Sequence, residues 1–316
     1  MSDLADRAHR LLNEQRTSWE LLRRNCGLLD AAQTRTFDFG RFAVKAQLNL
    51  ARLASVSARV DPETIRRRKC FLCDANRPIE QLTLDCGHGF KLLCNPFPIL
   101  PEHFTLVYAE HRPQRILDSI GAMLAIAQAM AGRYTVFYNG PQCGASAPDH
   151  LHFQAGAHGF MPIDNDYDRV KHPLGEQDGV SVFVDDNYLR RFVALESSDQ
   201  HSIERVFSMF HGRLRKLQPQ ATEPMMNVIC SYANRAWRLI LFPRTIHRPS
   251  FYFATDHARM LLSPGAVDMG GVVVMPVEQD FARITREHLI EMYAQVTLPR
   301  DLFGLLTPFP GNGLPR

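Results

Sequence analysis

Residues 137–154 decide the fold, and they read FYNGPQCGASAPDHLHFQ. The end of this segment alternates polar with apolar residues, and successive side chains of a β-strand point to opposite faces of the sheet. His150, His152 and Gln154 would therefore share one face, while the two apolar residues between them enter the core. A loop of small residues precedes this strand, so the segment predicts a compact surface that binds an anion.

The residue types in this segment suit chemistry at phosphorus. A neutral imidazole carries a lone pair, so His152 is a candidate nucleophile, and Gln154 can donate an amide hydrogen to a phosphate oxygen. Backbone N–H groups near Gly144 and Ser146 can approach phosphate because the local side chains are small or absent. A His-x-His pair alone more often marks a half-buried strand, but the glutamine, the small-residue loop and Asn139 favour the catalytic interpretation.

The segment resembles the active-site motif of the transferase branches of the histidine-triad superfamily, the galactose-1-phosphate uridylyltransferases and the diadenosine tetraphosphate phosphorylases. That motif is an asparagine, a small-residue loop ending in Ser-x-Pro, and then His-x-His-x-Gln. The resemblance implies that His152 is the nucleophile, that Gln154 holds the transferred phosphate and that His150 completes the motif. The hydrolase branches carry a third histidine where Gln154 stands, so the glutamine favours transfer over hydrolysis. The implied phosphate contacts in and before the loop are Asn139, Gly144, Ala145 and Ser146.

A second motif, Cys70-Phe71-Leu72-Cys73, has the Cys-x-x-Cys spacing of a tetrahedral zinc site, which needs two further ligands. The resemblance implies that His111 and His150 are these ligands, and a structural zinc ion would then fix the catalytic strand without touching substrate. Two alternatives stay open, namely that no metal binds or that a separate knuckle forms from Cys70, Cys73, Cys86 and His88.

Three further segments supply candidate contacts to the nucleotide or its phosphates. Asn95 and Phe97 lie in Asn-Pro-Phe-Pro, which is similar to a segment that lines the nucleotide pocket of the superfamily, with an ordinary stiff turn as the alternative. Arg52 lies where phosphorylase-like members place an arginine, and a guanidinium can bind two phosphate oxygens at once. Arg248 is a candidate for holding the leaving-group phosphate, with an ordinary surface arginine as the alternative.

Three other features of the sequence indicate structural or surface roles. His103 lies in a segment similar to the Pro-x-His-x-x-Val strand of the superfamily and is expected to be structural. Asp149 stands where uridylyltransferases have proline, and it either tunes His150 or faces solvent. The basic residues 65–69 are expected to be a solvated helix end, with attraction to phosphate as the less favoured alternative.

Composition excludes several classes of protein. The chain has 316 residues, 45% hydrophobic and 22% charged, which is ordinary for a soluble globular protein. A net charge of +3 is too small to indicate a nucleic-acid partner. The sequence contains no stretch of about twenty apolar residues, so no membrane span is expected. Seven cysteines without an export signal indicate reduced thiols and a cytoplasmic protein. An oligomer is compatible with the sequence.

Interleaved helices and hairpin-like strand pairs favour the α+β class with antiparallel sheets. A helical pattern spans residues 4–29. With the resemblance, we expect two histidine-triad-like halves packed as an internal pseudo-dimer, the catalytic half at residues 1–165 and the other at 166–316.

The expected reaction is transfer of a nucleotidyl group from a dinucleoside polyphosphate or a nucleotide-sugar. It would pass through His152 to phosphate or a sugar phosphate, and an adenine nucleotide is the default donor. Two other classes stay open, a hydrolase of the same donors and a non-catalytic nucleotide-binding protein held together by zinc.

Overall fold

The computed structural model describes residues 4–53 and 62–308, which form a ten-stranded sheet, a three-stranded sheet and flanking helices. The strands are β1 (Thr34–Asp38), β2 (Ala43–Leu48), β3 (Thr83–Gly87), β4 (Phe90–Cys94), β5 (Phe104–Tyr108), β6 (Tyr134–Asn139), β7 (His152–Ala157), β8 (His172–Gln177), β9 (Val180–Asp185), β10 (Phe192–Ser197), β11 (Met226–Ala233), β12 (Ala236–Pro243) and β13 (Val272–Met275). The α-helices are α1 (Leu4–Ser18), α2 (Glu20–Asp30), α3 (Pro62–Arg67), α4 (Ile120–Ala129), α5 (Pro162–Val170), α6 (Gln200–Leu217), α7 (Ala266–Met269), α8 (Glu278–Arg283), α9 (Arg286–Val296) and α10 (Arg300–Leu306). Short 3-10 turns lie at Leu50–Arg52, Asp74–Asn76, Leu117–Ser119 and Ser250–Tyr252.

The large sheet is antiparallel throughout and contains the same arrangement twice. Its strand order is β3-β4-β5-β7-β6-β11-β12-β10-β9-β8. In each half two antiparallel strand pairs are separated in the chain by a helix, which is α4 in the first half and α6 in the second. Strands β6 and β11 pair in the middle, so the halves join edge to edge. The predicted α+β fold of two similar halves is confirmed.

A hydrophobic core covers each face of the large sheet. Strand β6 is buried along its whole length. Its successive residues Val136 and Phe137 point to opposite faces and belong to the two different cores. One core contains residues of helices α1, α4 and α6, and the other contains residues of the three-stranded sheet. Burial on both faces explains why β6 is mostly apolar and aromatic and does not alternate with charged residues.

The three-stranded sheet joins distant parts of the chain. Its order is β1-β2-β13, and β13 pairs with β2 in parallel although more than 200 residues separate them. This sheet therefore contains strands from both predicted halves, and the boundary predicted at residue 165, which falls inside α5, stays a prediction.

The helix predicted over residues 4–29 is divided into α1 and α2. The break falls at Trp19, whose backbone is extended with φ −115° and ψ 103°. Trp19 is nonetheless buried, with 5% of its surface exposed.

Among the helices of the described residues, none is long and apolar enough to span a membrane.

Candidate active site

A cavity of about 570 Å³ opens beside the first residues of β7. Both predicted halves line it, because residues 263–268, which include the start of α7, form one wall. Its lining includes aromatic and apolar side chains, among them Trp19, Leu21, Pro78 and Phe97. It also includes polar side chains, among them Asn139, Ser146, His152 and Gln154. Apolar side chains suit a nucleobase and polar side chains suit phosphates.

His152 is held in the tautomer that a nucleophile needs. It is 3% exposed, and its Nδ1 lies 2.8 Å from the backbone carbonyl oxygen of His150. A carbonyl oxygen only accepts, so Nδ1 must donate its hydrogen, which leaves the lone pair of the neutral ring on Nε2. Burial lowers the pKa of His152 to about 4, so the ring is neutral near neutral pH.

The backbone around His152 is fixed by Gln114, a fully buried residue. The Gln114 amide nitrogen donates to the carbonyl oxygens of His152 and Asn139, each at 2.9 Å. Its Oε1 accepts from the backbone N–H of His152 at 2.7 Å. One side chain thus ties the catalytic strand to β6 at the point where the two strands diverge into the loop.

His103 fixes the orientation of Gln154. Its Nδ1 accepts from the backbone N–H of Ile99 at 3.3 Å, and its Nε2 lies 2.8 Å from Oε1 of Gln154. A neutral ring that accepts at Nδ1 donates at Nε2, so Oε1 of Gln154 is the acceptor. Burial lowers the pKa of His103 to about 3, which keeps the ring neutral. The amide nitrogen of Gln154 is then left to donate to a ligand in the cavity that Gln154 lines.

Asn139 joins the two sides of the cavity. Its Oδ1 accepts from the backbone N–H of Ala266 at 2.7 Å and from the side chain of Asn227 at 2.8 Å. Asn139 and Asn227 are register partners on β6 and β11. The buried Arg244 in turn donates to Asn227 Oδ1 at 2.6 Å and to the carbonyl oxygen of Pro264 at 3.0 Å. This network holds residues 263–268 against the catalytic half.

The small-residue loop before β7 packs directly against residues 263–268 of the second half. Gly144 has φ +97°, and a Cβ at that position would lie 2.8 Å from Cα of Gly265. Only glycine fits both the backbone conformation and the space. Gly144 and Ser146 line the cavity, whereas Ala145 between them is buried and does not.

The other predicted contacts are placed unevenly. Arg52, Asn95 and Phe97 line the cavity. Asn95 also accepts the backbone N–H of Phe97 at 3.0 Å, which fixes the local turn. Arg248 is not among the residues that line it, but it donates to Ser263, which does, at 2.9 Å. The roles of these residues in binding phosphate or nucleotide stay predictions.

A cluster that could hold a metal ion lies behind the catalytic strand. The ligand atoms of Cys70, Cys73, His111 and His150 all lie within 4.8 Å of one another. The Nδ1 of His150 lies 3.3 Å from Cys70 Sγ, and that of His111 lies 3.2 Å from Cys73 Sγ. Tetrahedral zinc with bonds of about 2.3 Å to sulfur and about 2.0 Å to nitrogen separates these atoms by about 3.6 Å. The donor set and its spacing therefore fit zinc.

The outer nitrogens of both histidines are also engaged. His150 Nε2 donates to the carbonyl oxygen of Tyr108 at 2.8 Å, which leaves Nδ1 free to bind a metal. His111 Nε2 lies 3.6 Å from a carboxylate oxygen of Asp149. Asp149 is therefore occupied at the metal cluster and does not simply face solvent.

The rival metal set is not assembled. The thiol of Cys86 donates to the carbonyl oxygen of Phe90 at 3.1 Å and packs against a hydrophobic core. His88 lies in the turn between β3 and β4 with φ +54°. Within residues 4–53 and 62–308, one group of three or more His, Cys, Asp or Glu side chains is placed to hold a metal ion. It is the set of Cys70, Cys73, His111 and His150.

Several residues of the site carry no sequence signal that predicted their role. Gln114 and Asn227 are single amides without a motif, and residues 263–268 lie more than 100 residues beyond the motif in the chain. Arg68 lines the cavity although its basic run was expected to be solvated, with phosphate attraction as the less favoured alternative. Trp19, which lies at the break between α1 and α2, also lines the cavity.

Two family models divide the chain between them. The model described as "Domain of unknown function (DUF4922)" matches residues 11–157, and "GDPGP1-like, C-terminal domain" matches residues 165–308. Among curated proteins of Saccharomyces cerevisiae, Protein APA1 is 33% identical over 92 residues, 25% of this chain and 29% of that protein. Diadenosine 5',5'''-P1,P4-tetraphosphate phosphorylase 2 is 37% identical over 82 residues, 22% of this chain and 25% of that protein. The matches thus span between a quarter and a third of these relatives.

The whole fold is similar to that of a solved structure. Yeast Ap4A phosphorylase Apa2 in complex with Ap4A aligns with a TM-score of 0.58 and 18% identity, covering 91% of this chain and 97% of that one. The chain therefore shares the fold of this yeast protein. The resemblance to the transferase branch of the histidine-triad superfamily is confirmed.

Proposed function

We propose that this protein is a nucleotidyltransferase that works through a covalent nucleotidyl–His152 intermediate. The donor is a dinucleoside polyphosphate or a nucleotide-sugar, and the acceptor is phosphate or a sugar phosphate. The observation that carries the proposal is the tautomer of the buried His152, whose Nδ1 donates to a carbonyl oxygen and whose Nε2 keeps the lone pair. His152 lines a cavity together with Gln154 and with Gly144 and Ser146 of the small-residue loop. Phosphorolysis and transfer to a sugar phosphate differ only in the acceptor.

The chemistry proceeds in two displacements. His152 Nε2 attacks the α-phosphorus, a P–N bond forms, and the P–O bond to the leaving phosphate breaks with its electron pair. An oxygen of the acceptor then attacks the same phosphorus, and the P–N electrons return to Nε2. Throughout, Nδ1 keeps its hydrogen, and the His150 carbonyl stabilises the positive charge that the ring carries in the intermediate.

The relatives support this proposal and suggest the base. One is a diadenosine tetraphosphate phosphorylase by name, and the yeast Apa2 structures contain Ap4A or AMP. We therefore propose an adenine nucleotide as the first donor to test. We further propose zinc as the metal at the Cys70, Cys73, His111 and His150 cluster, with a structural role. None of the seven cysteines forms a disulfide, which fits the expected cytoplasmic location.

Intact-protein mass spectrometry tests the proposal. The wild-type protein is mixed briefly with dinucleoside polyphosphates and nucleoside diphosphate-sugars of the common bases, and then with phosphate. The expected result is a nucleoside monophosphate adduct that phosphate discharges to a nucleoside diphosphate. Discharge by water alone at the same rate would favour the hydrolase. Nucleotide binding with no adduct or turnover for any donor would favour the non-catalytic protein.

Replacement of His103 with phenylalanine is expected to slow adduct formation about 10- to 100-fold, since Gln154 would lose the partner that orients its amide. Stopped-time mass spectrometry measures the rate, and thermal melting shows whether the variant is folded. His103→Gln, which can still donate a hydrogen bond, should recover part of the rate. An unchanged rate in His103→Phe would show that Gln154 needs no such partner.

A further inference from the structure

The basic run at residues 65–69 divides between solvent and the cavity. Arg67 ends helix α3 and is exposed, with 79% of its side-chain surface accessible, and it pairs with Glu63. Arg68 follows directly, but only 23% of its side-chain surface is exposed and it lines the cavity. Arg68 and Arg52 are the two arginines among the described residues that line it, and no described lysine does. One residue of an otherwise solvated run therefore faces the cavity.

The Arg68 guanidinium is held along one edge. Its Nη2 donates to Asp149 at 2.9 Å and to the carbonyl oxygen of Ser146 at 3.1 Å, and its carbon lies 4.9 Å from the centre of the Phe71 ring. Its Nε is buried and, within the described residues, has no hydrogen-bond partner. A buried donor without a partner is unfavourable, so a ligand oxygen that accepted from Nε would be bound favourably.

The metal cluster supports two of these contacts. Phe71 lies between the two cysteines of the cluster, and Asp149 directly precedes His150. The second oxygen of Asp149 faces His111 at 3.6 Å. Asp149 stands where the uridylyltransferases that this chain resembles have proline, so this support is a feature of the present chain. The metal site and the substrate cavity thus share a wall.

We propose that Arg68 binds the phosphate next to the reacting one, which is the leaving-group phosphate in the first step and the acceptor phosphate in the second. The reacting phosphate has its own donors, the Gln154 amide and the N–H groups of the loop beside His152. Arg68 meets that loop at Ser146, so its positive charge and its unpartnered Nε–H lie where a phosphate next to the reacting one would sit. This inference rests on the proposed function.

Calorimetric titration with AMP, ADP, GMP and GDP tests the assignment, because the diphosphates add only the neighbouring phosphate. For the base that wild type prefers, Arg68→Gln is expected to weaken diphosphate binding about 10- to 100-fold and to change monophosphate binding less than about threefold. Arg68→Lys, which keeps the charge without the planar fork, should fall between the two. Arg67→Gln is the matched control and should bind like wild type. Metal content and melting temperature of each variant are measured alongside.

The outcomes separate this inference from the proposed function. Equal loss for mono- and diphosphate, or no loss for either, would overturn the role of Arg68 and leave the nucleotidyl–His152 proposal standing. Loss of bound metal in Arg68→Gln and Arg68→Lys would also overturn it, since Arg68 would then be a brace for the cluster. Wild type that gains no affinity from the second phosphate would also overturn it, whereas failure of the nucleotidyl–His152 proposal shows separately as the absence of an adduct.

Discussion

Replacing His152 with alanine is expected to abolish the covalent adduct and to lower turnover by roughly 10⁴-fold or more, which is typical of losing a nucleophile. His152 is the one histidine among the described residues that line the cavity, so its substitution leaves no other imidazole there to attack phosphorus. His150 cannot replace it, because its Nε2 donates to Tyr108 and its Nδ1 faces Cys70. Mass spectrometry of the variant with the best wild-type donor measures the adduct directly.

The matched control is His158→Ala. His158 follows the end of β7, is partly exposed, and does not line the cavity. This variant should form the adduct at close to the wild-type rate. An adduct that persists in His152→Ala would place the nucleophile elsewhere and remove the central step of the proposal.

Loss of the metal cluster is the second large effect that we expect. Cys70→Ser should lose the bound zinc and lower the melting temperature by about 10 °C, because zinc binding at such a site contributes directly to folding. The cluster ties Cys70 and Cys73 to His150, two residues before the nucleophile. Adduct formation should therefore fall together with stability. Elemental analysis gives the metal content, and calorimetry gives the melting temperature.

Cys86→Ser distinguishes the two metal sets that the sequence left open. The Cys86 thiol donates to a backbone carbonyl, and a serine hydroxyl can do the same. This variant should keep a full complement of metal. Retained zinc in Cys70→Ser, or lost zinc in Cys86→Ser, would contradict the assignment made from the structure.

The sequence predicted those parts of the site that depend on local geometry. The period-two alternation after the small-residue loop placed His152 and Gln154 together, and both line the cavity while Leu151 and Phe153 lie in a core. The Cys-x-x-Cys spacing predicted a metal knuckle, and the structure assembles the histidines that the resemblance implied.

The rest depends on contacts between distant segments, which leave no periodic signal. Residues 263–268 reach the cavity because β13 pairs with β2 across most of the chain. Gln114 ties two strands through a single side chain, a feature that spacing cannot reveal. The role of Asp149 depends on Arg68, which lies 81 residues away in the chain.

The central pairing of β6 with β11 also affects how the protein is made. From Asn139 to Asn227, its register partner, the ribosome must add 88 residues, which takes about 4–18 s at synthesis rates of about 5–20 residues per second. During that interval the edge of β6 that later pairs with β11 has no partner strand, and an unpaired edge favours aggregation. Residues 263–268, which complete the cavity, emerge later still. A nascent chain therefore needs protection at this edge well before it can bind a nucleotide in a complete site.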